Sequence, residues 1–498
     1  MAKIVLHNNR GQVYSQDKVM HKLLWDKCSF RVMGAEHSEM YKKGHWDGYK
    51  RLYHKNGKFS IGLWHRIKDL LDTNDYFYEI DDRRTQIRAN NDVELDPQVE
   101  LRDYQLDCVR VAIAARQSIL QVATGGGKTL IAGGVMASLK CPTIFIVHTR
   151  DLLYQAKSDY EKDLNCKVGQ IGDGVIDYDA PVVVATMQTL SRILGVKYES
   201  YEFGEDDDSE SPIDLNKETK QTLVEWVKSI DLIVWDEVHR VACNTAYEVL
   251  DKIPNAPYRL GLSASPWRDD GADLLIEAAF GSTSAVISAT QLINQGFLVP
   301  PIIKRIFVPP MVHWAVDTRN WHSLYKQEIV ENESRNQLIV DEVSRFIELE
   351  QPCLILVKQI KHGKILKRMI TEQVHPIDFI SGRDGSDIRS RAIQDMRDGT
   401  IGVLIASTIA DEGLNMKNLS ALIMAGGGKS STRALQRVGR ALRIYDNKTH
   451  ASIVDFNDGA KYLRTHAEKR KRILSSEPGF IILELDGGEL LWESQNTQ

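Results

Sequence analysis

The chain has 498 residues, 43% of them hydrophobic and 26% charged, with a formal net charge of −5. That length exceeds what one core supports and implies about three domains, while the near balance of charge excludes a uniformly basic nucleic-acid coat and leaves room for local patches. The six cysteines (Cys28, Cys108, Cys141, Cys166, Cys243 and Cys353) never form a C-x-x-C pair, and no stretch approaches the roughly 20 apolar residues of a membrane span. No structural metal, disulfide framework or membrane anchor is therefore expected. The apolar run in Met1–Asn8 is too short for a secretory signal, which implies a cytoplasmic protein.

Residues 1–90 read as a small α+β domain. Ile61–Leu71 has helical apolar spacing, and the segments before it look like short strands. Between Lys42 and Lys68 stand Lys42, Lys43, Lys50, Arg51, Lys55, Lys58, Arg66 and Lys68 against one acid, Asp47. The alternation places Tyr49, Arg51 and Tyr53 on one strand face and Lys50 and Leu52 on the other, and Asn56-Gly57 marks a hairpin turn. Basic residues interleaved with aromatics suit a phosphate backbone and stackable bases, or equally the solvated face of a small domain.

The polar stretch Arg83–Gln98 reads as a linker, after which Leu101-Arg102-Asp103-Tyr104-Gln105 opens a helix running to Ala115. Ser118-Ile119-Leu120 is a strand that leads into Gln121-Val122-Ala123-Thr124-Gly125-Gly126-Gly127-Lys128-Thr129 and then a helix from Leu130. Strand, glycine turn and helix start form a phosphate cradle of backbone N–H groups. Lys128 would meet the β- and γ-phosphates, and Thr129 would meet Mg²⁺. Val122 stands where the longer P-loop pattern has glycine, so only the shorter Ala-Thr-Gly-x-Gly-Lys-Thr form is met.

Further buried-strand signals follow at Thr143–Val147, leading through His148 and Arg150 into a helix, and at Val182–Thr186. Glu199, Glu202, Glu205, Asp206, Asp207, Asp208 and Glu210 crowd an acidic insert over 199–214. That insert reads as a surface loop, or as a pseudo-ligand competing with DNA. Asp231–His239 is a strand ending in Asp236, Glu237 and His239, and Tyr258–Pro266 is a strand ending in small residues. Polar loops at the carboxyl ends of alternating strands define an open doubly wound sheet.

The second half repeats this architecture, with strands at Cys353–Val357, Ile377–Ser381, Gly402–Ser407, Leu419–Ala425 and Ile453–Phe456. Asp411-Glu412-Gly413-Leu414 follows the third of these. Gln436–Arg443 puts Arg440 and Arg443 one helical turn apart, as paired arginine fingers would be. The tail, Gly479–Trp492, reads as a hairpin turning at Asp486-Gly487-Gly488.

Tyr104-Gln105, Ala123–Thr129, Asp236–His239, Ser263-Ala264-Ser265-Pro266, Asp411–Leu414 and Gln436–Arg443, in this order, resemble superfamily-2 helicases of the DExH kind across residues 98–475. The Ser-Ala-Ser-Pro stretch and the Gly-Arg-x-Leu-Arg ending resemble the XPB and UvsW branch, and Gly44–Gly48 resembles the front domain of phage UvsW-type enzymes. The resemblance implies two RecA-like doubly wound parallel-sheet domains in tandem after a small α+β domain. Its boundaries would be 1–90, 91–295, 296–340 as a connecting segment, 341–475, and 476–498 as a tail.

It further implies that ATP and Mg²⁺ are used. Tyr104, Gln105, Thr124, Gly125, Gly126, Gly127, Lys128, Thr129, Gly413 and Gln436 would hold the nucleotide, and Thr129 and Asp236 the ion. Lys128, Asp236, Glu237, Arg440 and Arg443 would run hydrolysis, with His239, Ser263 and Ser265 coupling it to DNA. Arg150, Thr186 and Thr408, with Lys50, Arg51 and Lys55 of the front domain, would touch DNA. The expected partner is single-stranded and branched DNA, met by a monomer, in the host cytoplasm if a phage encodes the chain. The expected activity is helicase remodelling of Holliday junctions, forks and displaced-strand loops. A duplex translocase, an RNA helicase and an ATP-gated clamp remain open.

Overall fold

The computed structural model describes residues 1–498 apart from 88, 198–216, 242, 266–271, 312–320, 373–376, 408–415, 417, 429–430, 446–447, 487–488 and 494–498. The acidic insert falls outside the described residues. The chain divides into two compact units, one of Met1–Val122 and Gly127–Val286, the other of Ala123–Gly126 and Ile287–Gln498.

The first unit opens with β1 (Ala2–Leu6), β2 (Arg10–Tyr14), β3 (Ser29–Arg31), β4 (Tyr49–Arg51), β5 (Lys58–Ser60) and β6 (Tyr78–Asp82). β5, β2, β1 and β6 form a sheet in that order, and β3 pairs with β4. Leu24, Ile67 and Leu71 of two covering helices bury against Ile4, Leu6 and Val13 of the sheet. The Asn56-Gly57 turn forms as the sequence predicts, with Gly57 at φ +80° and a Tyr53–Phe59 bridge closing it. The strand face differs from expectation. β4 ends at Arg51, and Tyr53 turns inward at 1% exposure, its hydroxyl 2.6 Å from His21 Nδ1.

That core runs on into the helix Asp273–Phe280, whose Leu274, Leu275 and Ala278 join the same apolar cluster. A Cβ at Gly62 would stand 2.3 Å from the Glu277 carbonyl oxygen, so only glycine permits the approach. Beside it Arg66 donates to Glu277 from Nε at 2.9 Å and from Nη2 at 2.6 Å.

The larger sheet of this unit contains β7 (Gln117–Val122), β8 (Thr143–Val147), β9 (Val168–Gly172), β10 (Val175–Asp177), β11 (Val182–Thr186), β12 (Leu232–Asp236), β13 (Tyr258–Ser263) and β14 (Thr283–Ile287). Their order is β10-β9-β11-β8-β12-β13-β7-β14, with β9 through β7 parallel along that row and β10 antiparallel. Every residue of β8, β9 and β11 is buried, as parallel strands covered by helices on both faces require.

The second unit contains β15 (Pro301–Val308), β16 (Cys353–Val357), β17 (Ile377–Ile380), β18 (Val403–Ser407), β19 (Ala421–Ile423), β20 (Ala451–Asp458), β21 (Ile481–Asp486) and β22 (Glu489–Glu493). They form one sheet in the order β17-β18-β16-β19-β20-β15-β21-β22, parallel as far as β21, with β22 antiparallel to it. β15 thus lies within 296–340, the stretch read from sequence as a connection. The tail hairpin forms too, but its first strand extends this sheet beside β15.

Candidate active site

Parallel strands put their carboxyl ends along one edge. The register pairs Asp236 with Leu262 and Ser263 with Gln121, so the ends of β12, β13 and β7 lie side by side. From β7 the chain makes its glycine turn, with Gly125 at φ +87° and Gly127 at φ +77°, before the helix Lys128–Leu139. A Cβ at Gly127 would stand 2.5 Å from Gln105 Nε2, so the glycine lets the Gln105 amide sit against the turn. Gln105 itself is 3% exposed, and its Oε1 accepts from the Arg102 backbone N–H at 2.9 Å. Thr129 is the second residue of the helix, and Tyr104 is buried beside Gln105.

Lys128 Nζ lies 3.8 Å from Glu237 Oε1. On the other side of that carboxylate, Glu237 Oε2 accepts from the Ser263 hydroxyl at 3.2 Å and lies 3.4 Å from His239 Nδ1. His239 Nδ1 is also 3.3 Å from Ser263 Oγ, and the Ser265 backbone N–H donates to that oxygen at 3.2 Å. Glu237 adopts φ +50°, a left-handed conformation that costs a non-glycine residue roughly 1–3 kcal/mol. Its N–H donates to Asp236 Oδ1 at 2.9 Å, which holds the bend.

The two acids are driven apart. Burial, then the charge of Glu237, raises the Asp236 carboxyl to about 6. Burial also pushes Glu237 upward, but Lys128 and His239 outweigh it and hold that carboxyl low. The neighbouring carboxyls are thus pushed in opposite directions, Asp236 up and Glu237 down. Divergent environments for adjacent carboxylates are a feature that functional sites share with structural ion-pair networks.

Other expected residues have local duties. Thr186 is fully buried, and its hydroxyl caps the helix Met187–Leu194. Arg150 opens its helix, 3.6 Å from Asp173. Thr408 and the stretch Asp411–Leu414, Gly413 included, lie outside the described residues.

Within the second unit, Gln436 and Arg440 lie on the helix Ser431–Ala441. Arg443 does not, contrary to the expected single helical face. The Leu442 carbonyl accepts from the Val299 N–H at 2.9 Å, and Arg443 bridges Leu298, which draws the chain out of the helix. Lys448 Nζ donates to the Arg443 carbonyl at 3.1 Å and also to the Leu419 and Ala441 carbonyls. Burial, then Arg443, lowers that ammonium to about 8. Nothing in the sequence pattern singled Lys448 out.

In the front domain Arg51 is held by Asp47, which accepts at Oδ1 across 2.8 Å and again at Oδ2. That guanidinium and the surrounding hydrogen bonds keep the Asp47 carboxyl at about 2. Arg51 also lies over the Trp25 ring at 5.0 Å, with Lys55 over the same ring at 5.8 Å. Trp25 falls outside the basic stretch, so no sequence signal attached it to this cluster.

A glycine turn with lysine beside an Asp-Glu pair, on parallel α/β sheets, defines a P-loop nucleotide hydrolase. Residues 98–268 match the family described as "Type III restriction enzyme, res subunit", and residues 335–445 match "Helicase conserved C-terminal domain". The chain belongs to the ATP-dependent helicases of superfamily 2. It is 24% identical to the ATP-dependent DNA helicase uvsW of Enterobacteria phage T4, over 94% of this chain and 93% of that one. It is 26% identical to the DNA 3′-5′ translocase XPB2 of Sulfurisphaera tokodaii, over 70% of this chain and 80% of that one. Among solved structures, the DNA-bound type ISP restriction-modification enzyme LlaBIII matches the fold with a TM-score of 0.53 and 15% identity, over 82% of this chain and 33% of that one. Among the described residues, no helix is long and apolar enough to cross a membrane.

Proposed function

We propose that the protein is a DNA helicase that hydrolyses ATP to remodel branched DNA: junctions, forks and displaced-strand loops. The Lys128–Glu237–Ser263 contact supports this reading most directly, because it ties the phosphate-binding lysine, the hydrolytic acid and the residue after β13 into one cluster. Similarity to the phage T4 helicase along nearly its whole length, front domain included, supports the DNA substrate.

In this reading Tyr104 and Gln105 hold the adenine, and Thr124 to Thr129 hold the phosphates. Mg²⁺ takes few protein oxygens besides those of phosphates, which suits the Thr129 hydroxyl and the Asp236 carboxylate, the latter raised by burial until a cation relieves it. Mg²⁺, when bound, neutralises charge on the phosphates. Glu237 orients a water whose oxygen bonds to the γ-phosphorus as the bond to the ADP oxygen breaks, and Lys128, Arg440 and Arg443 stabilise the charge on the transferring group. Ser263, Ser265 and His239 relay the state of Glu237. Arg150 and Thr408, with the front domain, contact the DNA, Thr186 acting only through the helix that it caps, and one copy of the chain acts per strand.

A second reading is a duplex translocase that separates no strands, favoured by the name of the Sulfurisphaera relative. One panel decides between them: ATP turnover and strand separation on single strands, duplex, fork, four-way junction and matching RNA, with Glu237→Gln as control. Forks and junctions resolved into products support remodelling. Turnover on duplex with no strand released supports translocation, and turnover on RNA alone overturns the DNA assignment.

A further inference from the structure

Three charged residues sit side by side in neighbouring strands of the second unit. They are Arg305 in β15, Asp455 in β20 and Glu484 in β21. The parallel register sets Arg305 opposite Asp455 on one side and Glu484 on the other, so the three form a ladder across β20, β15 and β21. Arg305 and Asp455 are 0% exposed and Glu484 is 9% exposed. Buried charges persist only when paired and hydrogen-bonded, and each of these three has a charged partner. Arg305 donates from Nε to Asp455 Oδ2 at 3.4 Å, from Nη1 to Glu484 Oε1, and from Nη2 to the Ala467 carbonyl at 3.0 Å.

The ladder does not end in the core. Asp455 Oδ1 accepts from Arg470 Nε at 2.9 Å, and Arg470 spends its two remaining nitrogens on backbone. Nη2 donates to the Phe456 carbonyl and Nη1 to the Gly428 carbonyl, each at 2.8 Å. Gly428 closes a tight turn, with Gly427 at φ +58° and Gly428 at φ +109°. The other end of the turn is fixed as well: the Gly426 N–H donates to the Leu356 carbonyl, and the Gly426 carbonyl accepts from the buried Tyr325 hydroxyl at 2.7 Å. Three residues beyond Gly428 begins the helix that carries Gln436 and Arg440.

We infer that Arg470 is a positioning residue for hydrolysis: held by Asp455, Arg305 and Glu484, it fixes the turn from which the Arg440 helix is launched. This rests on the reading of Arg440 as a transition-state arginine. A finger must arrive within a fraction of an ångström of its place, and misplacement costs rate while leaving ground-state binding intact. The C-terminal strand β21 thereby becomes part of the ATPase through Glu484.

The test uses the full-length chain and compares Arg470→Lys, Glu484→Gln, Arg440→Ala and the double variant Arg470→Lys/Arg440→Ala. Lysine keeps a cation for Asp455 but lacks the fork that reaches Gly428 and Phe456. The expected result for Arg470→Lys is a fall in kcat of about tenfold or more for ATP hydrolysis on single-stranded DNA, with KM for ATP and affinity for DNA within about twofold. The double variant is expected to be no slower than Arg440→Ala alone, because a positioning residue has no work once its target is gone. Should Arg470→Lys fail to fold by circular dichroism, Glu484→Gln combined with Arg440→Ala takes its place, with a smaller but equally non-additive loss. Losses that multiply in the double variant, or an unchanged kcat in Arg470→Lys and Glu484→Gln, overturn the inference. Wild-type turnover by Arg440→Ala overturns instead the reading of Arg440 on which it stands.

Discussion

The Ser263 hydroxyl donates to Glu237 Oε2 across 3.2 Å, so the last residue of β13 touches the acid that lies beside Lys128. Removing that hydroxyl leaves the Lys128–Glu237 pair itself untouched and severs the links from Glu237, His239 and the Ser265 N–H to β13. Ser263→Ala is expected to keep ATP turnover within about tenfold of the parent while base pairs opened per ATP fall further. Equal losses in turnover and in strand separation would give Ser263 a part in hydrolysis itself.

Burial and the neighbouring charge of Glu237 push the Asp236 carboxyl up from its ordinary 3.8 to about 6, so its ionisation is expected to oppose folding. Between those values the folded state holds more protons than the unfolded one, so stability falls as pH rises through that window and stays lowered above it. Asp236→Asn is expected to raise the Tm of the nucleotide-free protein at pH 8, to lose that advantage toward pH 4, and to abolish ATP hydrolysis. A Tm gain that does not depend on pH would show that the charge of Asp236 is not its source.

Arg51 already has a partner in Asp47, whereas Lys55 is exposed with its ammonium over Trp25. Replacing Lys50 and Lys55 by alanine is expected to reduce the salt slope of branched-DNA binding by about 1 per lysine. Arg51→Ala is expected to reduce it by less, since the Asp47 carboxylate offsets that charge. Measuring log K against log salt for the three variants checks the ranking. A slope unmoved by both lysines would confine the front domain to a structural role.

Gly62 admits the Glu277 carbonyl oxygen to 2.3 Å of where a Cβ would stand, and the Ala278 oxygen to 2.7 Å. Backbone cannot yield there as a flexible side chain could. Gly62→Ala is expected to cost on the order of 1–3 kcal/mol and to expose the junction between the front domain and the helix Asp273–Phe280 to proteolysis. Parental stability and an unchanged digestion pattern would refute that packing.

The meeting of Lys128 with Glu237 was legible in the sequence, because a glycine turn after one buried strand and an acid pair after another fall at the same edge of a parallel sheet. Tertiary pairing was not legible. Lys304 and Arg305 disguise β15 as polar, and only the distant Asp455 and Glu484 make a buried Arg305 tolerable. The tail reads locally as a hairpin because nothing within it announces that β15 lies alongside. Arg443 leaves the helical pattern for the same reason, since Leu298 and Val299 capture it from far along the chain. Tyr53 fits an open strand face until Phe59 and His21 enclose it.

Ile61 and Leu63 share one apolar cluster with Leu274 and Leu275, and Arg66 is locked to Glu277. A front domain joined by such a seam has no slack of its own. A force applied at Trp25 would therefore pass through the seam into the helix Asp273–Phe280, as a ploughshare bolted to its beam moves wherever the beam is drawn.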